Sequence, residues 1–305
     1  MSRSVRIGIF DPCLNLNLSL SITHEPNKLL FPMPPKLSID LGSVQKTLLL
    51  PLWGRAVETK KRKPLLVDEA AVQIIQSIDF DFSTIASNMS RITQLAWIAR
   101  CLHIDRCMRQ FLAKHPKASV VNIGCGLDTT FERVDNGSLS WFDLDLPDVI
   151  ELRKEFMKEN ERRKFIACSF IENEWLHQIP RGEGVFLLAA GVFYYFNESE
   201  LKSSFSRMVD AFSGGEMIFD SASPLGVRVA NKKVIEGGGM DKSAVLRWGL
   251  ESAQEIRRWD DRIRIVAEYP MFHGMKDGLT FRDKVGTSFS DFLKIMSMVH
   301  LAFAA

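Results

Sequence analysis

The sequence predicts an α/β protein built on a Rossmann-type, mostly parallel sheet, and three observations lead to this prediction. From residue 119 onward, short apolar runs alternate with helical stretches, which is the order that builds parallel strands and crossover helices. The run from Val185 to Ala190 is wholly apolar, as in strands that helices cover on both faces. In the third observation, the apolar strand that ends at Ile123 leads into the turn Gly124-Cys125-Gly126 and is followed by a strand that ends in acids.

Residues 37–115 come before the sheet and are predicted to form a helical cap. A first helix contains the apolar residues 48–53. A second covers 68–78, where Asp68 is a favourable N-cap residue. A third, long helix covers about 90–114, where apolar side chains recur at helical spacing.

The sheet itself is predicted from five apolar runs with helices between them. The predicted strands are 119–123, 139–142, 164–168, 184–189 and 216–219. The predicted helices among them are a short one after the glycine turn, then 148–163, 172–177 and 199–212. Two further strands, 262–268 and 298–303, are expected around a helix near Asp291.

Between these parts, residues 224–260 are predicted to be a helical insertion that forms a lid. Its helices are expected at 225–235 and 243–259, on either side of Gly237-Gly238-Gly239. The Pro-rich end of 1–36 indicates a flexible extension without the features of a signal peptide. The predicted organisation is therefore this extension, followed by one domain, 37–305, whose α/β core is 116–305.

Composition narrows the functional class. The 305 residues are 46% apolar and 25% charged with a net charge of +2, which favours no nucleic-acid or membrane partner. No apolar run approaches the ~20 residues that span a bilayer. The five cysteines form no CxxC pair and no zinc spacing, so we expect free thiols, no metal and a cytoplasmic location.

The glycine turn predicts a nucleoside-binding corner. Gly124 and Gly126 let a ligand approach main-chain N–H groups, and an acid about 20 residues later can accept hydrogen bonds from ribose hydroxyls. Asp143 and Asp145 both qualify, because alternation along a strand puts them on one face. The position of a third glycine is occupied by Thr129, which disfavours a pyrophosphate. S-adenosylmethionine (SAM) has a ribose and no phosphate, so it fits this corner better. The alternative interpretation is a tight strand-to-helix turn that binds no ligand.

Two segments together resemble the leucine carboxyl methyltransferase family, and within it the polyketide O-methyltransferase branch. They are Asn122-Ile123-Gly124-Cys125-Gly126-Leu127-Asp128-Thr129-Thr130 and Phe142-Asp143-Leu144-Asp145-Leu146-Pro147. The resemblance runs from about residue 41 to 303. It implies a class I, SAM-dependent O-methyltransferase fold and activity.

The resemblance also implies residue roles. Lys46 and Arg100 would bind the methionine carboxylate, and arginine suits this role because it can offer two parallel N–H groups. The alternative, mainly for Lys46, is that the residue is a solvent-exposed cation on a helix surface and binds no ligand. The turn formed by Gly124, Cys125 and Gly126 would lie beside the methionine part of SAM. Asp145 matches the acid that binds the ribose in this family.

Other positions depart from the protein-methylating branch of the family. Ser169 and Phe170 stand where that branch has Asp-Leu beside adenine, so Phe170 could stack on the ring and Ser169 could bond its amino group. Ala190 replaces a glutamate that contacts the cofactor. Ordinary loop and core roles stay open for Ser169 and Phe170.

On the acceptor side, Tyr194 and Tyr195 follow the fourth strand, where ligands of such sheets bind, and could hold an acceptor oxygen. The alternative is that both tyrosines are part of the aromatic core and contact no acceptor. A carboxylate acceptor is already ionised at pH 7 and needs no base, whereas none of the six histidines stands in a catalytic arrangement.

The sequence therefore predicts a SAM-dependent O-methyltransferase acting on an oxygen, preferentially a carboxylate, of a small hydrophobic molecule. The alternatives are a non-catalytic binding protein with the same fold or a nicotinamide-dependent oxidoreductase. Beyond the small-molecule acceptor, no nucleic-acid or membrane partner is expected, and the oligomeric state is open.

Overall fold

The computed structural model describes residues 43–232, 245–275 and 277–304, apart from the side chains of 43–47, 84, 85 and 88. The expected extension 1–36 and the turn Gly237-Gly238-Gly239 lie outside the described residues. The described residues all belong to one compact unit. Within the described ranges, no helix has the length and apolar character needed to cross a bilayer.

The centre of this unit is a seven-stranded sheet with the strand order β3-β2-β1-β4-β5-β7-β6. Its strands are β1 (Ser119–Ile123), β2 (Ser140–Asp145), β3 (Arg163–Ala167), β4 (Val185–Ala189), β5 (Glu216–Ala222), β6 (Ile263–Pro270) and β7 (Met296–Phe303). Strands β1 to β5 pair in parallel, and β7 runs antiparallel to both β5 and β6. The predicted Rossmann-type α/β fold is confirmed.

Helices precede the sheet and connect its strands. The four at the start are α1 (Ser43–Thr59), α2 (Glu69–Ser77), α3 (Ser83–Asn88) and α4 (Arg91–Leu112). The later ones are α5 (Thr130–Val134), α6 (Pro147–Lys154), α7 (Glu198–Ala211), α8 (Pro224–Ala230), α9 (Gln254–Arg257) and α10 (Phe281–Phe292), with 3₁₀ turns at Glu174–Gln178 and Phe193–Tyr195.

The sheet is buried on both faces by separate hydrophobic clusters. On one side, α4 packs on side chains such as Phe186 and Leu188 of β4. On the other side, α7 packs on Leu187 and Ala189 of the same strand. Because successive side chains of a strand point to opposite faces, one continuous apolar run supplies both cores.

Local capping explains where two of the predicted helices begin. The side chain of Asp68 accepts a hydrogen bond from Ala71 N at 2.9 Å, and that of Ser90 accepts one from Thr93 N at 3.1 Å. Each satisfies an N–H group that the first helical turn leaves without a partner. The starts of α2 and α4 were therefore readable from the sequence.

Two predicted helices are wrong in extent, and α3 was not predicted. The helix expected over 148–163 ends at Lys154, because the chain must turn before β3. A helix was expected over 243–259, and the structure describes 245–259 of this range. Within these described residues only the short helix α9 is helical. There, Arg247 N donates to Tyr194 O at 2.6 Å and Leu250 N donates to Ala222 O at 2.8 Å. These tertiary hydrogen bonds replace the helical ones.

Candidate functional site

The register of the parallel strands brings four positions into one row at the carboxyl edge of the sheet. Ile123 lies opposite Leu144 of β2 and Ala189 of β4. Ala189 lies opposite Phe219 of β5. The residues that follow these four form the row: Gly124, Asp145, Ala190 and Asp220. This edge is where open α/β sheets bind ligands.

The glycine turn at the centre of the row leaves no room for a side chain at either of its two glycine positions. Gly124 and Gly126 have φ angles of 62° and 45°. A Cβ on Gly124 would lie 2.6 Å from Val192, and a Cβ on Gly126 would lie 2.9 Å from Leu48 of α1. The turn is therefore lined by α1 on one side and by the segment after β4 on the other.

Asp145 lies at the mouth of the sheet, beside this turn. Its carboxylate accepts hydrogen bonds from Gly126 N at 2.7 Å and from Leu146 N at 2.8 Å. Burial raises the pKa of Asp145, against the hydrogen bonds, which lower it. Leu146, the next residue, is an apolar side chain that is 46% exposed. A carboxylate and an apolar surface thus lie side by side at the opening.

Asp143 lies in the interior instead. It is 0% exposed, and its carboxylate accepts hydrogen bonds from Asn122 Nδ2, Trp141 Nε1, Arg153 and Arg163 at 2.8–3.2 Å. Asp143 and Asp145 share a face of β2 as alternation requires, but only Asp145 is at the end of the strand. The structure therefore separates two acids that the sequence left equivalent.

Arg153 links Asp143 to the glycine turn. It is fully buried and donates to the carbonyl oxygens of Gly126 at 2.6 Å, Asp128 at 2.8 Å and Cys125 at 3.4 Å. The Cys125 side chain is buried too, and burial raises the pKa of its thiol. Arg153 therefore holds the shape of the turn from the interior, and Cys125 contributes a neutral side chain.

A second buried arginine, Arg100 of α4, lies at the other end of the row. It is 6% exposed, and its Nη1 donates to Asp220 Oδ2 at 3.1 Å. Asp220 also accepts from Gly191 N at 2.6 Å and from the Tyr194 hydroxyl at 3.2 Å. Burial alone would lower the pKa of Arg100, but the neighbouring Asp220 raises it, so the guanidinium stays charged.

Arg100 keeps an unused donor. Its Nε is buried and has no hydrogen-bond partner among the described residues. Gly191, with a φ of 79°, allows the guanidinium to approach, since a Cβ there would lie 2.8 Å from Arg100 Nη1. A guanidinium that makes a single described hydrogen bond at this edge of the sheet can still donate to an anionic group.

The two tyrosines lie next to this cluster. Burial raises the pKa of Tyr194 well above its usual value and raises that of Tyr195 as well. Both hydroxyls are therefore protonated at neutral pH, so they can donate hydrogen bonds and are poor bases. Around them lies an apolar cluster made of Ala222, Leu246, Val227, Ala230 and Met296.

The remaining predicted site residues differ in their surroundings. Phe170 is buried, with its ring centroid 5.5 Å from that of Phe193 and 4.6 Å from that of Phe196. Ser169 and Ala190 are half-buried at the edge of the sheet. Lys46 belongs to α1, two residues before Leu48, but its side chain lies outside the described residues.

A cavity of about 440 Å³ lies away from the row, between the start of α2 and the helices α4 and α5. Three of its charged side chains pair with one another, since Arg133 bonds to both Asp68 and Asp105 at 2.9 Å. None of the row residues lines it. The row, and not this cavity, is therefore the candidate functional site.

Sequence reasoning missed Asp220 and Leu146. The signal for Asp220 was present, because it ends the apolar run Met217–Phe219 just as Asp145 ends β2. The signal for Leu146 was its place between Asp145 and Pro147, where a strand meets a helix start.

The sequence of the chain is similar to those of known methyltransferases. The profile of the family described as Leucine carboxyl methyltransferase matches residues 49–209. The tetracenomycin polyketide synthesis O-methyltransferase TcmP of Streptomyces glaucescens is 30% identical over 236 residues, which are 77% of this chain and 85% of that protein. The S-adenosyl-L-methionine-dependent methyltransferase dpfgK of Gibberella zeae is 29% identical over 213 residues, 63% of this chain and 71% of that protein.

Two solved structures share the fold at low sequence identity. A putative methyltransferase from Thermobifida fusca has a TM-score of 0.51 at 13% identity, over 83% of this chain and 94% of that one. A duf574 family protein from Streptomyces avermitilis has a TM-score of 0.54 at 11% identity, over 85% of this chain and 97% of that one.

The chain therefore belongs to the leucine carboxyl methyltransferase family, and it is a SAM-dependent O-methyltransferase. The resemblance stated from the glycine turn and the acidic strand end is confirmed. The prediction of SAM as cofactor is confirmed as well, and the alternatives of an oxidoreductase and of a non-catalytic protein are not carried further.

Proposed function

We propose that this enzyme methylates a carboxylate oxygen of a small, hydrophobic acceptor, with SAM lying along the row of Gly124, Asp145, Ala190 and Asp220. The observation that carries the proposal is the Arg100–Asp220 pair, a buried cation that makes one described hydrogen bond and lies beside an apolar cluster. The name of TcmP, a polyketide synthesis enzyme, supports an acceptor of that class.

In this proposal Arg100 binds the methionine carboxylate of SAM. Asp220 fixes the guanidinium from one side and leaves its remaining donors for the ligand. A charge-assisted hydrogen bond to a group buried this deeply is about twice as strong as one between neutral groups. Lys46, from the start of α1, supplies a second positive charge. Ala190, half-buried in the row, gives the cofactor room without a polar contact.

At the other end Asp145 binds the ribose hydroxyls. Its oxygens each accept one main-chain hydrogen bond and keep capacity for more. Gly124, Cys125 and Gly126 leave space for the chain between the methionine end and the sugar. We do not assign Asp143 to the cofactor, because its buried carboxylate already accepts hydrogen bonds from four side chains.

The adenine is assigned to the edge between β2 and the loop after β3. The exposed Leu146 offers it an apolar contact, and the half-buried Ser169 a hydrogen-bonding hydroxyl. Phe170 supports this loop through its ring contacts with Phe193 and Phe196. We therefore assign Phe170 the role of holding Ser169 in place and not that of stacking on adenine.

When bound, SAM supplies an electrophilic methyl group on a sulfonium. The residues of the chain then need to align the acceptor oxygen and exclude water, which is a proximity effect. A carboxylate acceptor, with a pKa of about 4, needs no general base at neutral pH. This matches a site where the tyrosines are protonated and therefore act as donors.

The two tyrosines have different partners. Tyr194 donates to Asp220, so its proton is already engaged. Tyr195 is half-buried, and its hydroxyl bonds to none of the described residues. We assign Tyr195 the role of donating a hydrogen bond to the acceptor oxygen that does not receive the methyl group.

The chemical lability of the product tests this proposal. Purified enzyme is incubated with SAM carrying a labelled methyl group and with matched pairs of acceptors, an aromatic carboxylic acid and the phenol of the same skeleton. We expect label in a methyl ester, which mild alkali releases as methanol. Label in a base-stable methyl ether would contradict the carboxylate assignment while leaving the SAM site intact.

A further inference from the structure

Helix α10 presents an apolar stripe to solvent. Its inner face packs closely on α4, since a Cβ on Gly286 would lie 2.7 Å from Ile92, and Thr287 is buried there. Its outer face carries large apolar side chains with high exposure: Phe281 (81%), Val285 (56%), Phe289 (62%) and Phe292 (81%). Intervals of three and four residues place all of them on one side of the helix.

The stripe is large enough to form the centre of a protein interface. Phenylalanine side chains bury roughly 150–250 Å² each, so the three rings expose on the order of 400 Å². That matches the largest apolar patches found on monomers, which are often functional. It also supplies about half of the ~800 Å² that each partner contributes to a standard stable interface.

We propose that a second copy of this chain covers the stripe, through antiparallel contact of the two α10 helices about a two-fold axis. The stripe reads nearly the same in both directions, with a phenylalanine at each end and Val285 and Phe289 between. Antiparallel pairing sets Phe281 against Phe292 of the partner subunit, and Val285 against the partner's Phe289. A two-fold interface requires this self-complementarity, because one surface must bind itself.

The charges of α10 favour a protein partner over a lipid surface. Phe281–Phe292 contains two basic and two acidic residues, Arg282, Lys284, Asp283 and Asp291, so the helix carries no net charge. Lipid-binding helices present clusters of cations to anionic headgroups, and α10 has none. Antiparallel pairing also places the oppositely charged ends of the two helix dipoles together.

The test measures the mass of the full-length protein in solution, by light scattering after size-exclusion chromatography over a range of concentrations. The chain mass is 34.6 kDa, and we expect a species of twice that mass. Phe281→Glu combined with Phe289→Glu should raise the dimer dissociation constant at least a hundredfold. Because both rings are exposed, the variant should keep its fold, so its far-UV circular dichroism spectrum should match that of the parent. Val67→Glu, at an apolar position with 54% exposure outside α10, is the matched control and should stay dimeric.

Other outcomes would overturn the proposal. A parent protein that is monomeric at every concentration would show that no second copy covers the stripe. A dimer that survives both glutamates would place the interface elsewhere. A monomer that co-sediments with vesicles of phosphatidylcholine and phosphatidylserine, and loses this binding in the double variant, would identify a membrane as the occupant.

Discussion

Arg153 and Arg100 are both buried arginines near the carboxyl edge of the sheet, and each pairs with a buried aspartate. Arg153 donates four hydrogen bonds, three of them to carbonyl oxygens around the glycine turn. Arg100 donates one described bond, to Asp220. Both arginines leave Nε without a described partner, so an orphaned atom alone does not mark a site. The difference suggests a division of roles: the closed network holds the fold, and the incomplete one at the strand edge is the one we propose for ligand binding.

The largest expected effect breaks the closed network. Arg153→Met leaves the buried Asp143 carboxylate without one of its two cationic partners. It also removes the hydrogen-bond donor of the carbonyl oxygens around the turn. Removal of one member of a buried ion pair costs about 3–5 kcal/mol. We expect a loss of that size in the free energy of unfolding, measured by urea denaturation. A matched change at Arg162, whose pair with Asp135 is only half-buried, should alter stability little. Equal losses in both variants would contradict the structural role of Arg153.

Arg100→Met tests the open network. Loss of a buried charge partner for the methionine carboxylate is worth about 2–5 kcal/mol, so the dissociation constant for SAM should rise at least ~30-fold. Because this change also leaves Asp220 unpaired, the double variant Arg100→Met with Asp220→Asn should recover part of the stability without recovering SAM binding. Calorimetric titration and urea denaturation give the two readouts. Normal SAM affinity in a folded Arg100→Met protein would refute the assignment.

Asp220→Asn asks whether Asp220 orients Arg100. The amide keeps the size of the side chain but weakens its bonds to Arg100 and to Gly191 N. A buried hydrogen bond to a charged group contributes about 1.5–3 kcal/mol, and we expect about a tenfold rise in the SAM dissociation constant. Asp210→Asn, at an exposed position, is the control. An unchanged SAM affinity in Asp220→Asn would show that Arg100 is positioned without it.

The sugar end of the site is tested by pH. Burial raises the pKa of Asp145, so this carboxyl is protonated at a higher pH than an exposed aspartate, and a protonated acid loses acceptor capacity toward ribose hydroxyls. SAM affinity should therefore fall as the pH is lowered from neutral toward this raised pKa. Asp145→Asn should bind SAM several-fold more weakly at neutral pH and lose the pH dependence. A parallel fall in both proteins would assign the titration to another group.

The smallest expected effect comes from Tyr194→Phe. This change removes one of three donors to Asp220 and leaves those from Arg100 and Gly191 in place. A net contribution of about 0.5–1.5 kcal/mol for such a bond predicts a rise of roughly threefold in the SAM dissociation constant. A loss as large as that in Arg100→Met would mean that the hydroxyl itself contacts the cofactor.

Much of the fold was readable from the sequence because its signals are local. The apolar run of β1, the glycine turn and the cap at Asp68 each depend on a few neighbouring residues. The described segment after Val245 was misread, since its main chain bonds to Tyr194 and Ala222, which are distant in sequence.

The site was readable only in part. Gly124, Gly126 and a nearby acid follow from the pattern of strand and turn. The choice between Asp143 and Asp145 did not follow, because it depends on where β2 ends and on two arginines from later elements. Asp220 did not follow either, because no local sequence pattern shows that an acid on β5 pairs with Arg100 of α4.

The most direct test of the whole account is a crystal structure of the enzyme with S-adenosylhomocysteine. We predict that the amino-acid carboxylate of the ligand lies within hydrogen-bond distance of the Arg100 guanidinium, with its ribose hydroxyls on Asp145. A ligand bound away from the row, or one whose carboxylate contacts other residues while Arg100 contacts Asp220 alone, would contradict the account.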